Sequence, residues 1–313
     1  MARELSIGVD LGGTQLRAAL VDPDGAVLAA QRVRTDRAGG PQGVTAQIHA
    51  LVDAIRTDDV VTIGIGIPGA FDAAAGTVLG IPALPGWNDV LLADLVTGET
   101  GLPCVLENDA TAAAIGEWRA GAGKGSNHFV YLTISTGIGS GVVVDGRILR
   151  GAGGLAGEIG HTRITDASDP CSCGHVGCWE AVASGTALGR HAQRLAMAEP
   201  EGLVAREAAG EPAAAYHVGA AARLKDPSAL KLLRDEARWL GAGFVNAQHL
   251  YAPERIVVGG GLSLLLDLMI DDIRAAVRHR LLPGFKPADI VAAQLGDDAG
   301  MVGAALHALS AET

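Results

Sequence analysis

Two distant stretches of the chain share one design. "LSIGVDLGGTQLRAALVDPDGAVLAA", beginning at Leu5, reads as strand, glycine turn, strand, Asp-Pro-Asp-Gly turn, strand. From Phe129, "FVYLTISTGIGSGVVVDGRILRG" repeats that order with an Asp-Gly turn in place of the longer one. Gly12 to Asp22 in the first unit and Gly137 to Asp145 in the second enclose similar short strands. An approximate internal duplication of this kind predicts two α/β lobes facing one another, each giving a hairpin turn to a shared central cleft. Two unrelated Gly-rich hairpins would read the same way.

Between the units, "TAQIHALVDAIRT" carries Ile48, Leu51, Val52 and Ile55 at helical spacing, and "VVTIGIGIPGAF" is a β-rich run ending at Pro68-Gly69. "PCVLEND" reads as a strand passing into the helix "ATAAAIGEWRAG", which stops at glycine. After the second unit a helical stretch runs from about Ala181 to Leu250, "RIVVGGGLS" adds a strand, and "AGMVGAALHAL" a terminal helix. The expected division is a small lobe of residues 1–110 plus about 297–313 and a larger C-terminal lobe of 111–296. No low-complexity linker separates them, so the chain crosses within ordered structure.

With 44 glycines and only 4% aromatic residues, the core has to be built from Ala, Val, Leu and Ile around tight backbone approaches. A net charge of −11 argues against nucleic acid as a partner, because binding to phosphate backbones is driven by Lys and Arg. The N-terminus enters a strand at once without an apolar signal region, and even "LSLLLDLMIDDI" is broken by Asp267, Asp271 and Asp272, so no membrane segment is expected. The expected location is the cytoplasm, where thiols stay reduced and clustered cysteines point to metal rather than to disulfides.

Three of the four cysteines fall within "CSCGHVGCWE", residues 171–180. With His161 from "GEIGH", Cys171, Cys173 and Cys178 make a Cys₃His set, which suits zinc in a closed tetrahedron; four protein ligands leave no open position, so the ion would be structural. Unrelated reduced thiols or a redox pair are the alternatives, although no C-x-x-C motif is present. Cys104, alone in an apolar strand, reads as a small buried hydrophobe.

"DLGGTQLR" offers Gly12, Gly13 and the Thr14 hydroxyl at a turn where backbone N–H groups converge on an anion, with Asp10 placed to hold magnesium (Mg²⁺) through water beside a triphosphate. "STGIGSG" makes a second cradle around Thr136 and Gly137, and Gly260 and Gly261 of "VGGGL" would let a flat base approach the backbone. Each turn alone could be only a turn; three together favour a nucleotide. "GIGIPG", residues 64–69, fits G-x-G-x-x-G, yet the residues after Pro68 open no helix, so a dinucleotide fold is not expected. Asn108 and Asp109 stand where a strand passes into a helix, whose positive end favours an ionised carboxylate; a plain N-cap fits as well. Glu158 and Glu180 flank the cysteine segment, where metal ligands would fix their backbones for gripping sugar hydroxyls; they also fit as surface residues.

Taken together, "DLGGT", "ENDA", "STGIGSG", "GEIGH", "CSCGHVGCWE", "VVGGGLS" and "GDDAGMVGAA" resemble the ROK family of sugar kinases and repressors. The C-x-C-G-x-x-G-C-x-E spacing is the family's hallmark and stands intact. The resemblance implies an α/β, actin-like, ribonuclease-H-like two-lobed ATPase fold with sugar and nucleotide in the central cleft, and a homodimer. It implies that Asp109 removes the proton from a sugar 6-hydroxyl, and that Asn108, Glu158, His161 and Glu180, with Gly69, grip the ring. Asp10 would sit near Mg²⁺, the turns at Gly12 to Thr14 and Thr136 to Gly137 would hold the phosphates of ATP, and His161 would serve both zinc and sugar. Gln15 and Thr111 depart from the common pattern at positions that bear only on fine donor preference. ATP-dependent phosphorylation of glucose at its 6-hydroxyl is the expected reaction, with another hexose or a sugar-responsive regulator as alternatives. Regulators of this kind carry a helix-turn-helix ahead of the sugar-binding region, whereas this chain reaches its first strand by Leu5.

Overall fold

The computed structural model describes residues 4–311. The chain opens with an antiparallel meander of β1 (Leu5–Leu11), β2 (Gln15–Val21) and β3 (Val27–Arg34). Then come α1 (Gly40–Ile55), β4 (Val60–Ile67), a small hairpin of β5 (Ala70–Asp72) and β6 (Thr77–Gly80), α2 (Leu92–Thr100), β7 (Cys104–Asn108) and α3 (Asp109–Arg119). The sheet order is β3-β2-β1-β4-β7, with β1, β4 and β7 parallel.

Strand alternation accounts for how the two faces of this sheet are covered. Leu5, Ile7, Val9 and Leu11 turn to one face and share a core with Ile48 and Val52 of α1 and Leu92 and Val96 of α2. Ser6 and Gly8 turn to the other, where the C-terminal helix lies so close that the Ser6 hydroxyl donates to the Ala305 carbonyl at 2.9 Å. A Cβ at Gly8 would stand 1.8 Å from the Met301 carbonyl oxygen. Edge strand β3 is largely exposed and carries Arg32 and Arg34, charges that discourage further pairing. Cys104 is half-buried against the first core, and burial pushes its thiol up to about 12.

Past α3 the plan repeats. β8 (Phe129–Ile134), β9 (Ile138–Val144) and β10 (Arg147–Ile148) are followed by α4 (Trp179–Ala183), α5 (Gly185–Ala198), α6 (Leu203–Ala208), α7 (Ala215–Arg223) and α8 (Pro227–Tyr251). β11 (Arg255–Gly259), α9 (Leu266–Arg280), β12 (Asp289–Ala292) and α10 (Ala299–Ala311) complete the chain. The second sheet runs β10-β9-β8-β11-β12, with β8, β11 and β12 parallel. Setting aside the β5–β6 hairpin, each sheet is ordered third, second, first, fourth, fifth along its stretch of chain, so the duplication read in the glycine turns extends to topology. The run at residues 64–69 passes from β4 into β5 rather than into a helix.

The chain forms two compact units: one of the described residues up to Asn127, Gly141–Gly157 and those from Gln294 on, the other of His128–Ser140 and Glu158–Ala293. This differs from the boundary at residue 110. The cause is α3, which packs along α10 backbone to backbone: a Cβ at Gly303 would stand 1.6 Å from the Ala112 carbonyl oxygen, and one at Gly116 would stand 2.4 Å from that of Ala299. Among the described residues no helix is long and apolar enough to cross a membrane.

Candidate active site

In the first unit, the turn between β1 and β2 is closed by the Gly12 N–H donating to the Gln15 carbonyl at 2.9 Å. Thr35 clamps it, its hydroxyl donating to the Gly12 carbonyl at 2.7 Å and its N–H to that of Thr14 at 3.0 Å. Thr14 is exposed. Asp10, half-buried near the end of β1, is paired across the hairpin with Arg17, whose Nε lies 3.1 Å from its Oδ2. A Cβ on Gly300, at the start of α10, would lie 3.6 Å from the Asp10 carboxyl carbon. Gly69, after β4, has φ +144°, and a Cβ there would stand 2.3 Å from the Gly80 carbonyl oxygen, so only glycine fits this turn.

Asn108 and Asp109 form the β7–α3 junction. Asn108 caps α3, its side-chain oxygen accepting the Thr111 N–H at 3.0 Å, and the Asp109 carboxylate accepts the N–H of Ala110 at 2.7 Å. Both are half-buried. The N-cap reading of Asn108 therefore holds, and Asp109 is the first helical residue, at the positive end of α3.

In the second unit, the turn after β8 is closed by the Ser135 N–H donating to the Gly137 carbonyl at 2.9 Å, and by the Gly185 N–H donating to Ser135 at 2.7 Å. Gly260 has φ +77° and lies over Ile134, where a Cβ would stand 2.6 Å from the carbonyl oxygen. Beside these turns is a cavity of about 650 Å³, lined among others by Thr136, Thr186, Gln193, Tyr216, Gly261 and Leu265.

The donor atoms of His161, Cys171, Cys173 and Cys178 all lie within 4.8 Å of one another. His161 ends a short 3₁₀ turn, Cys171 and Cys173 lie in a loop that reverses at Gly174, and Cys178 precedes α4. Cys171 Sγ is 3.4 Å from His161 Nδ1, and Cys173 Sγ is 3.7 Å from Cys178 Sγ. A tetrahedron with zinc–sulfur bonds of about 2.3 Å has edges of about 3.8 Å, so the spacing fits a closed four-coordinate ion. Hydrogen bonds from His175 pull Cys173 down to about 6, whereas burial pushes Cys178 up to about 12. A divalent cation between them would hold all three as thiolates.

Glu180, in α4, bridges this cluster and the β8–β9 turn. Its Oε1 accepts the Ser172 hydroxyl at 2.7 Å, and its Oε2 accepts the Ile138 N–H at 3.0 Å. Gly137 leaves it room, since a Cβ there would stand 2.2 Å from Oε2. Glu158 is exposed and lies 3.9 Å from His161 Nε2. His161 thus turns Nδ1 to the thiols and Nε2 to a carboxylate. The structure brings Glu158, His161, Glu180 and the Cys set together in one unit, and carries Asn108 and Asp109, with Asp10 and the Gly12 turn, in the other.

Residues 6–311 match the model of the ROK family. The chain belongs to the ROK family. It is 40% identical over 308 residues to a glucokinase of Streptomyces coelicolor, covering 96% of each chain, and 36% identical over 302 residues to a glucokinase of Thermotoga maritima, covering 96% of this chain and 95% of that one. Among solved structures, it resembles the ROK family glucokinase from Streptomyces griseus in complex with glucose and AMPPNP, at TM-score 0.83 and 40% identity over 98% of this chain and 99% of that one. The fold is the actin-like, ribonuclease-H-like two-lobed fold of ROK glucokinases.

Sequence reasoning passed over part of the lining of the cavity of about 650 Å³. The cavity wall formed by Thr186, Gln193 and Tyr216 comes from α5 and the start of α7, a region whose sequence shows only generic helix composition. One signal was available: Ser184 before Gly185-Thr186 is a helix N-cap, its Oγ accepting the Ala187 N–H at 3.2 Å, and it marks where α5 begins.

Proposed function

We propose that the chain is a hexose kinase that transfers the γ-phosphoryl group of ATP to the 6-hydroxyl of glucose, with Asp109 as proton acceptor. The observation that carries the residue assignment is the β7–α3 junction, where Asn108 is committed to capping the helix and a carboxylate follows it at the helix's positive end. As the glucose O6 attacks the γ-phosphorus, its proton passes to the Asp109 carboxylate. The bond from the γ-phosphorus to the bridging oxygen breaks, and ADP leaves with the electron pair. Phosphoryl transfer asks mainly for positioning, and glucose hydroxyls are to be held by Asn108, Glu158, His161 and Glu180, with the Gly69 backbone shaping the wall.

Backbone N–H groups at Gly12 to Thr14 and at Thr136 and Gly137 are the phosphate contacts in this reading, and the apolar cavity beside Gly260 and Gly261 takes the adenosine. Mg²⁺ near Asp10 would offset charge on the phosphates. Zinc held by His161, Cys171, Cys173 and Cys178 would be structural, fixing the backbones of Glu180 and His161. With Nδ1 on the metal, His161 presents Nε2–H as a donor to a sugar oxygen. The assembly is a homodimer, as the family resemblance implies, working in the cytoplasm without nucleic acid. An assay of ADP release over a panel of hexoses, with ATP or polyphosphate as donor, tests the reading. Asp109→Ala is expected to lose turnover by about 10²-fold or more while still binding glucose; unchanged turnover overturns it.

A further inference from the structure

Glu107, the residue before the Asn108–Asp109 pair, takes no part in the phosphoryl transfer itself, yet it is among the few buried carboxylates. Its side chain is 5% exposed at the end of β7. Oε1 accepts the Asn108 N–H at 3.0 Å. Oε2 accepts Nη2 of Arg150 at 2.8 Å and its Nε at 3.2 Å. His307, from α10, brings Nε2 to 3.7 Å of the same oxygen, and burial holds its ring below the ordinary imidazole range. A buried carboxylate is costly unless paired and hydrogen-bonded, and here a charged fork and a backbone N–H supply that pairing.

Arg150 is fixed at its other end too. It opens the glycine-rich run Gly151–Gly157, and that run folds back on it, the Ala156 N–H donating to the Arg150 carbonyl at 2.9 Å. The next residue after the run is Glu158. The peptide linking Glu107 to Asn108 is thus set by a carboxylate whose own place is set by Arg150. That peptide in turn aims Asn108 and Asp109.

We infer that Glu107 and Arg150 are positioning residues for phosphoryl transfer, holding the β7–α3 junction so that Asp109 meets the sugar hydroxyl and tying it to the loop that leads into Glu158. This rests on the reading of the chain as a hexose kinase. Misplacing a reacting group by about 1 Å costs up to about 10²-fold in rate, so loss of the clamp is expected to show in both kcat and sugar binding.

The test is steady-state kinetics of Glu107→Gln, Arg150→Met and Arg150→Lys, each checked for folding by circular dichroism, beside Asp109→Ala. The expected result for Glu107→Gln and Arg150→Met is a kcat lowered by about tenfold or more and a raised KM for glucose, with the KM for ATP within about twofold of wild type. Arg150→Lys, which keeps the charge without the fork, is expected to fall between. The double variant should be little worse than either single one, because both remove the same contact. A purely structural clamp would lower the folded fraction and leave both KM values alone, and that outcome overturns the inference, as does wild-type kinetics in both variants. Should Glu107→Gln fail to fold, Arg150→Met decides, since the Arg150 side chain is 42% exposed. Turnover surviving in Asp109→Ala would instead sink the kinase assignment of Asp109, whatever the Glu107 variants do.

Discussion

Replacing Gly243 even by alanine should destabilise the protein. This glycine lies inside α8, and a Cβ there would stand 2.0 Å from Cε2 and 2.3 Å from Cδ2 and Cζ2 of Trp179. That ring is fully buried, donates from Nε1 to the Trp239 carbonyl at 3.0 Å, and meets Phe244 edge-on at 5.9 Å. Ordinary contact begins at 3.4 Å, so ring or helix must move by about 1.4 Å in a close-packed interior. Overpacking costs about 1–3 kcal/mol, and loss of the indole hydrogen bond about 1 kcal/mol. The better helix propensity of alanine returns about 1 kcal/mol. The net destabilisation is about 1–3 kcal/mol, read as a lowered urea midpoint by circular dichroism. Trp179 lies between Cys178 and Glu180 in sequence, so the same displacement should raise the KM for glucose and reduce retained zinc. Gly98→Ala in α2 is the control: beyond its chain neighbours and its own helix backbone nothing lies within 4 Å of the added methyl, so stability should hold or rise by up to about 1 kcal/mol. A Gly243→Ala protein with wild-type midpoint and sugar affinity would refute this packing argument.

Two more outcomes are expected in the second unit. Purified protein should carry about one zinc per chain, and Cys173→Ser should lose most of it, with a raised KM for glucose; metal-free protein with full activity would contradict the structural role. Glu236, in α8, has both carboxylate oxygens buried without a hydrogen-bond partner, and desolvation raises its pKa well above the usual range despite the opposing charge of Arg190. A folded-state pKa above the unfolded value means its contribution is fully present below the unfolded pKa and is lost as pH rises toward the folded one. Glu236→Gln should therefore flatten the fall in urea midpoint between acidic and neutral pH; an unaltered pH dependence would count against the neutral carboxyl.

What was legible from the sequence was local chemistry with strict spacing. Glycine turns flanked by strand alternation located β1–β2 and β8–β9, because a hairpin leaves its signature within a dozen or so residues. The Cys₃His neighbours were legible because three of them share one loop. By contrast α9 was not singled out, although Leu266, Met269, Ile273 and Val277 are buried at helical spacing, because acidic residues interrupt the apolar run on its outer face. The short pair β5–β6 and strand β12 have too few residues for any period to emerge. The division into compact units differs from the expected one for another reason. Whether α3 belongs with the strand before it or with the segment after it depends on contact with α10, about 190 residues away, and no local pattern encodes that.

That contact also explains how a chain with so few aromatic residues can hold the proposed base, Asp109, in place. Where α3 meets α10, and where α10 meets β1 and β4, glycines remove the side-chain layer: a Cβ at Gly303, Gly8 or Gly64 would stand 1.6, 1.8 or 1.9 Å from a facing carbonyl oxygen. Backbone rests on backbone, and such contacts lack the rotamer freedom by which a core of large side chains accommodates small shifts. Glu117 pins the far end of α3, its carboxylate accepting the N–H groups of Gln294 and Leu295 at 3.1 and 2.7 Å. Helix α3 is thus held along its length by α10 and at its C-terminal end by the segment before α10. At the opposite end, Asn108 caps α3 and the Arg150-paired Glu107 accepts the Asn108 N–H, so the proposed base Asp109 begins a helix that is tied down at both ends.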